Sequence, residues 1–227
     1  ATAFGATIGT SMFPEVEALV KQRGLECADT SVRAMMDRRR DAEKAKGLFK
    51  KACDLNDAPA CLELAGLLRA AGPKEIPRVT ALLDKACLGG QAEACGQLGE
   101  LFFDGKDVPR DLARAAEALG KACEGKVARS CMTLAGMYAE GLKLTKDRAK
   151  AAAFNARACE AGLAEACARL GRQHEDGDGL PRDPTRAREL FEKGCQGGSA
   201  GGCYDLGLLY ERGAAGLPKD PARALEL

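Results

Sequence analysis

Apolar positions along this chain recur at helical spacing, and the whole pattern returns every 34 to 36 residues. Cysteines mark the period. Ten of them form five pairs, each eight residues apart: Cys53 and Cys61, Cys87 and Cys95, Cys123 and Cys131, Cys159 and Cys167, Cys195 and Cys203. The first members follow one another at intervals of 34, 36, 36 and 36. A period of this length is the signature of stacked supersecondary units. Three residues beyond each second Cys stands Leu64, Leu98, Leu134, Leu170 or Leu206. The next position is always small, from Ala65 to Gly207. Seven beyond the Cys stands Leu68, Phe102, Tyr138, His174 or Tyr210. Steps of three, four and seven share one face of a helix. Ten beyond the Cys comes Ala71, then Gly105, Gly141, Gly177 and Gly213, suited to a left-handed helix stop. Each second Cys therefore opens a helix, designated B, of about 12 residues.

A second helix, A, precedes each first Cys. Twelve residues upstream lies an acid, Asp41, Glu75, Asp111, Asp147 or Asp183, and Asp is a good N-cap. Pro184 directly follows Asp183, the favoured order at a helix start. Ala45, Val79, Ala115, Ala151 and Ala187 stand eight upstream, and mostly large apolar residues four and five upstream. The links from A to B are short, as in LGGQAE and EAGLAE, which forces an antiparallel hairpin. Links from B to the next A carry Gly, Pro and charge, as in DGKDVPRD. The predicted fold is all-α: hairpins of about 36 residues stacked as a right-handed α/α superhelix, a solenoid.

Residues 1–40 are less regular. Cys27 lies 34 residues before Cys61, in a helix-B position of a degenerate first repeat, with Leu19 in the matching helix-A slot. We read 1–40 as an N-terminal helical cap, closed by SVRAMMDRRR (31–40), and 41–227 as five hairpins plus a truncated last helix. That last helix begins in KDPARALEL, where Arg223 aligns with Arg186 after a one-residue insertion.

Composition narrows the function. The chain has 227 residues, 46% of them apolar, and 34 Lys plus Arg against 33 Asp plus Glu. A formal charge of +1 excludes a general nucleic-acid binder, which needs a basic excess. At 4% aromatic, base-stacking platforms are excluded too. A single His excludes His-rich metal centres, and no cofactor is implied. No apolar run is long enough to span a membrane. The N-terminal stretch shows neither a basic n-region nor a strong apolar h-region, so a secretory signal is expected either never to have been there or to have been removed.

A chain this long can bury a core without staples, so 11 cysteines need a reason. Each first Cys ends helix A and each second begins helix B, where the helices are closest, and that placement suits a disulfide. Closing a nine-residue loop stabilises each hairpin by about 2 to 3 kcal/mol. Two other readings stand beside it. Zinc sites ordinarily show Cys-x₂₋₄-Cys rather than this spacing. Reduced cysteines also pack as small apolar groups in a cytosolic chain. Disulfides would place the protein in an oxidising compartment. Cys27 is left over, and is expected as a buried free thiol.

The residues also resemble a known family. The order is acid-x-x-basic-Ala, then a basic residue, Ala and Cys, then Ala-x-x-Cys-x-x-Leu-Gly, as in DRAKAAAFNARACEAGLAEACARLGRQHEDG (147–177). It resembles the Sel-one-like repeat family, relatives of tetratricopeptide repeats. The paired cysteines resemble its Helicobacter cysteine-rich subfamily, in which each hairpin is closed by one disulfide. The resemblance covers about 41–227. It implies an α/α superhelix, often periplasmic or secreted, serving as a non-enzymatic protein-interaction scaffold. An alternative it implies is a binder or weak hydrolase of β-lactam or peptidoglycan-like molecules. A related location is the mitochondrial intermembrane space. The family carries no shared catalytic motif, and Ser-x-x-Lys, Gly-x-Ser-x-Gly and Walker-type motifs do not occur, so no catalytic residue is assigned.

Two columns of helix A are always basic. One holds Lys44, Arg78, Arg114, Lys150 and Arg186; the other, seven residues on, holds Lys51, Lys85, Lys121, Arg157 and Lys193. They share a helix face. If helix A lines the concave surface, Lys85, Arg114, Lys121, Lys150, Arg157, Arg186 and Lys193 form a ladder for an acidic peptide or a terminal carboxylate. The bland alternative is structural: the second column sits at the helix C-terminus, where cations favour the dipole. The first column can pair with acids such as Asp111 and Asp147. His174 fills a column otherwise held by Leu, Phe or Tyr. With Glu175, Asp176 and Asp178 it could instead form a loop ion site, although DGDG (176–179) lacks an EF-hand pattern.

Overall fold

The computed structural model describes residues 43–226. The chain divides into two compact units, Ala1–Leu48 and Phe49–Leu227. Of the first, only the helical residues 43–48 are described. The expected N-terminal cap and Cys27 lie outside the described residues.

In the second unit, α1 is formed by the helical residues 49–54. It is followed by α2 (Ala58–Ala71), a 3₁₀ turn (Pro73–Glu75), α3 (Ile76–Leu88), α4 (Ala92–Asp104), α5 (Leu112–Glu124) and α6 (Ala128–Glu140). Then come α7 (Arg148–Glu160), α8 (Ala164–Asp176), α9 (Pro184–Gln196), α10 (Ala200–Arg212) and the short α11 (Pro221–Leu225). Odd-numbered helices are the A members and even-numbered ones the B members. No strand occurs among the described residues.

The ends of these helices follow the residues that mark them. The side chains of Asp111, Asp147, Asp183 and Asp220 accept hydrogen bonds from first-turn amides of α5, α7, α9 and α11. Gly105, Gly141, Gly177 and Gly213 stop α4, α6, α8 and α10 in the left-handed conformation. At Gly105 the backbone of Arg110 lies so close that a Cβ would sit 3.0 Å from its Cα. The first B-to-A link departs from the rest. Ala71 stays helical and Gly72 takes over the stop, while Glu75 makes no side-chain cap and pairs with Arg78 instead.

From α2 to α9, packing is closer between a B helix and the next A helix than between the A and B of one hairpin. The small column explains the first contact. A Cβ on Gly99 would lie 2.7 Å from Leu119 Cγ, and one on Gly171 2.6 Å from the Phe191 ring. Large residues of the following A helix are seated directly on bare backbone. A hydrogen bond locks the same junction. The Asp111, Asp147, Asp183 and Asp220 amides donate to the carbonyls of Phe102, Tyr138, His174 and Tyr210 at 2.8–3.0 Å.

The hairpin junction is the looser of the two, and there the cysteines are joined. All five pairs form disulfides, with Cα separations of 4.4–4.7 Å. Each clip therefore ties the two helices that noncovalent packing holds less closely. The buried core runs as one large cluster from Cys53 to Met137, a second around Cys123–Leu190, and a small third one of Ala187, Phe191, Leu206 and Leu209.

Candidate interaction surface

The two basic columns lie along successive A helices, and neighbouring helices decide what each cation meets. In the first column, the Arg114 guanidinium lies 4.1 Å from the centre of the Phe102 ring on the preceding B helix. Lys150 lies 5.4 Å from the Tyr138 ring and 3.7 Å from the Asp147 carboxylate. These are cation–π contacts between residues twelve apart in sequence, across a B-to-A junction. Tyr138 in turn stacks on Phe154, and Arg157 lies 5.5 Å from that second ring. Of the two acids expected as partners, Asp147 pairs with Lys150, whereas Arg114 faces a ring. The sequence carries a signal for these contacts, since Phe102, Tyr138 and His174 each stand twelve residues before Arg114, Lys150 and Arg186. Only the fold shows that they touch.

The second column divides. Lys85 Nζ donates to the Cys53 carbonyl at 2.6 Å, and Lys193 Nζ to the Cys159 carbonyl at 3.3 Å. Each ammonium satisfies the end of the preceding A helix, where orphan carbonyls carry the negative end of the dipole. Lys121 turns instead to Glu117 on its own helix, at 2.8 Å. Through that hydrogen bond Glu117 raises the Lys121 pKa above its ordinary value, and the Glu117 carboxyl is held below the usual carboxylate range. Both are exposed, so the pair is worth little to stability. Lys85 and Lys193 thus have structural work. Arg114 and Arg157 lie on rings, with no carboxylate in ion-pair distance among the described residues.

At α8–α9 the junction changes. His174 stands in the ring column and Arg186 at the cation position, but Arg186 pairs with Glu189 at 2.6 Å. The imidazole Nδ1 is buried without a hydrogen-bond partner. A groove of about 380 Å³ opens here between α7 and α9. Its floor holds Leu170 and His174, one wall is Ala149, Ala152, Ala153 and Ala156, and Arg186 and Lys193 edge the other. The four alanines lie at helical spacing and leave the volume that longer side chains would fill. The loop-ion reading of His174 fails in the structure. Asp178, in the link after α8, is held by Arg148 at the start of α7, and no metal-holding group of His, Cys, Asp and Glu occurs among the described residues.

Polar contacts that the sequence did not announce also join helices, one between hairpins and one within the α7–α8 hairpin. Arg172 on α8 pairs with Asp205 on α10 at 2.7 Å, and Asn155 Nδ2 on α7 donates to Gln173 Oε1 on α8 at 2.8 Å. No helix among the described residues is long and apolar enough to cross a membrane.

Comparison with known proteins agrees with this architecture. The family model described as Sel1 repeat matches residues 36–57, 92–126, 128–163, 164–199 and 200–227. No curated protein matches. Among solved structures, a protective antigen present in uropathogenic Escherichia coli strains and displaying an SLR fold aligns at 26% identity and a TM-score of 0.74. The match covers 80% of this chain but only 39% of that one. A Sel1 repeat protein from Oxalobacter formigenes aligns at 24% identity and a TM-score of 0.73, covering 82% of this chain and 79% of the other. Helicobacter pylori cysteine rich protein B aligns at 26% identity and a TM-score of 0.48, over 58% of this chain and 94% of its own.

Proposed function

The chain belongs to the Sel1 repeat family, and on that premise we propose that it is a non-enzymatic scaffold acting outside the cytoplasm, which holds an acidic peptide segment of a partner protein along its row of A helices. Proteins of this family generally serve as interaction scaffolds. One observation carries the finer reading: the groove between α7 and α9, edged by Lys193, which is bonded to a carbonyl, and by Arg186, which is paired with Glu189. The alanine wall and Leu170 accept an apolar side chain of the partner. Lys193, bonded only to a carbonyl, and Arg157, laid on Phe154, keep N–H groups for its carboxylates. A carboxylate binding Arg186 displaces Glu189.

Five disulfides support an oxidising location, periplasmic or extracellular. Thiol counting on protein isolated from its natural source tests that part. One reactive thiol, from Cys27, is expected after denaturation, and eleven would overturn it.

The binding reading is tested by cross-linking and pull-down from the source organism with native protein and an Arg114→Glu, Arg157→Glu variant. A partner captured by the native protein and lost with the variant is expected. Unchanged capture would remove the ladder from the reading. Sustained nitrocefin turnover that one substitution abolishes would contradict a non-enzymatic role.

A further inference from the structure

Two neighbouring junctions of the A-helix row hold the same cations but different fillings. At α6–α7, Tyr138 stacks on Phe154 with ring centres 5.5 Å apart; Lys150 lies 5.4 Å from the first ring and Arg157 5.5 Å from the second. One period further on, His174 replaces Tyr138, Leu190 replaces Phe154, and Arg186 and Lys193 stand for the two cations. Both large rings are gone there, and both cations have turned elsewhere, Arg186 to Glu189 and Lys193 to the Cys159 carbonyl. The groove of about 380 Å³ lies among these four residues. The rest of the first basic column behaves alike. Arg114 lies on Phe102, whereas Arg78, twelve residues after Leu68, pairs with Glu75. A cation in this column lies on a ring where the chain supplies one and on a carboxylate where it does not.

We infer that the groove between α7 and α9 takes an aromatic side chain, a phenyl or phenol ring, from the partner, and that this ring completes the set missing from this repeat. The inference rests on the acidic-peptide reading and names the anchor residue of that peptide. The ring packs against Ala152, Ala156 and Leu190 and beside the His174 imidazole. Arg186 leaves Glu189 and covers the ring face, as Arg114 covers Phe102. That exchange costs little, because the Arg186–Glu189 pair is exposed on both sides. A guanidinium with its face on a ring still offers its edge to a carboxylate, so an acid beside the aromatic residue is bound at the same time. The volume falls at the low end of small-molecule pockets, about 300 to 1,000 Å³, and suits one side chain.

The test uses the native, untagged protein, whose single His makes the imidazole C–H signals of His174 unambiguous in proton NMR. It is titrated with acetyl-Asp-Glu-Phe-Glu-Asp-amide, with the same peptide carrying cyclohexylalanine for Phe, and with a third in which Ser replaces every acid around Phe. The Phe peptide is expected to shift the His174 signals by its ring current, saturably, and to bind about fivefold more tightly than the cyclohexylalanine peptide. Equal affinity of those two, binding without displacement of the His174 signals, or no binding by the Phe peptide would overturn the inference. Equal affinity of the two acidic peptides would leave the acidic-peptide reading standing. A Ser peptide that binds as tightly as its acidic counterpart and still shifts His174 would support the aromatic anchor and overturn that reading instead. Leu190→Phe supplies a ring from the chain itself and is expected to weaken the Phe peptide about tenfold. If that variant fails to fold, the ranking of peptides on native protein decides.

Discussion

Lys85 Nζ lies 2.6 Å from the carbonyl oxygen of Cys53, thirty-two residues earlier, so the cation ending one A helix closes the end of the A helix before it. The contact runs between successive hairpins, beside the disulfide that closes the first of them. Lys193 repeats it on Cys159. Lys85→Met is therefore expected to cost about 1 to 2 kcal/mol, the loss of a charge-assisted hydrogen bond to a helix end. Lys121→Met removes only an exposed ion pair and is expected to cost less than about 0.5 kcal/mol. Urea denaturation midpoints of the two variants decide; equal losses would contradict the distinction.

The small column predicts a contrast between glycines. Gly171→Ala puts a methyl 2.6 Å from the Phe191 ring and is expected to destabilise by about 1 to 3 kcal/mol, as overpacking does. Gly136, inside α6 with nothing within 4 Å of its missing Cβ, is expected to respond oppositely. Gly136→Ala should stabilise by about 0.5 to 1 kcal/mol through helix propensity. Thermal unfolding of both variants checks the pair of signs.

His174→Tyr places a full ring where the other junctions have one. Arg186 is expected to leave Glu189 for that ring, a gain of about 0.5 to 1 kcal/mol, while the groove narrows. If a partner uses the groove, its dissociation constant should rise by about tenfold, measured by calorimetry with the purified partner. Tight binding by the variant would move the contact elsewhere.

Burial raises the pKa of the half-buried Glu100 above its ordinary value; Asp104 and Glu93 add to the shift, and Arg129 and Arg69 oppose it. A folded-state carboxyl with a raised pKa binds its proton more tightly than the unfolded chain does. It therefore costs nothing below the ordinary carboxylate pKa and weakens the fold increasingly as pH rises through the shifted one. Glu100→Gln is expected to raise the melting temperature at pH 7 and to leave it unchanged at pH 3. An increase of equal size at both values would show that charge is not the cause.

The hairpins were legible because their signals are local. Asp111 reaches amides two and three residues on, Gly105 stops its own helix, and Cys87 needs only Cys95, eight residues away. The period of the cysteines placed all five clips. The first link was harder to read, since Ala71 stands where the other repeats have glycine and the stop moved to Gly72.

What the sequence by itself determined is thus the repeat: helix faces, caps, stops and disulfide pairs, each set by residues close along the chain. Tertiary structure alone decided the fate of the cations. Arg114, Lys121, Lys193 and Arg186 occupy equivalent-looking columns, yet they end on a ring, a carboxylate of the same helix, a backbone carbonyl of the preceding hairpin, and a carboxylate beside an open groove. A long, flexible cation takes the best partner within reach, and for these residues several of those partners stand on a neighbouring helix that only the stacking of hairpins brings near.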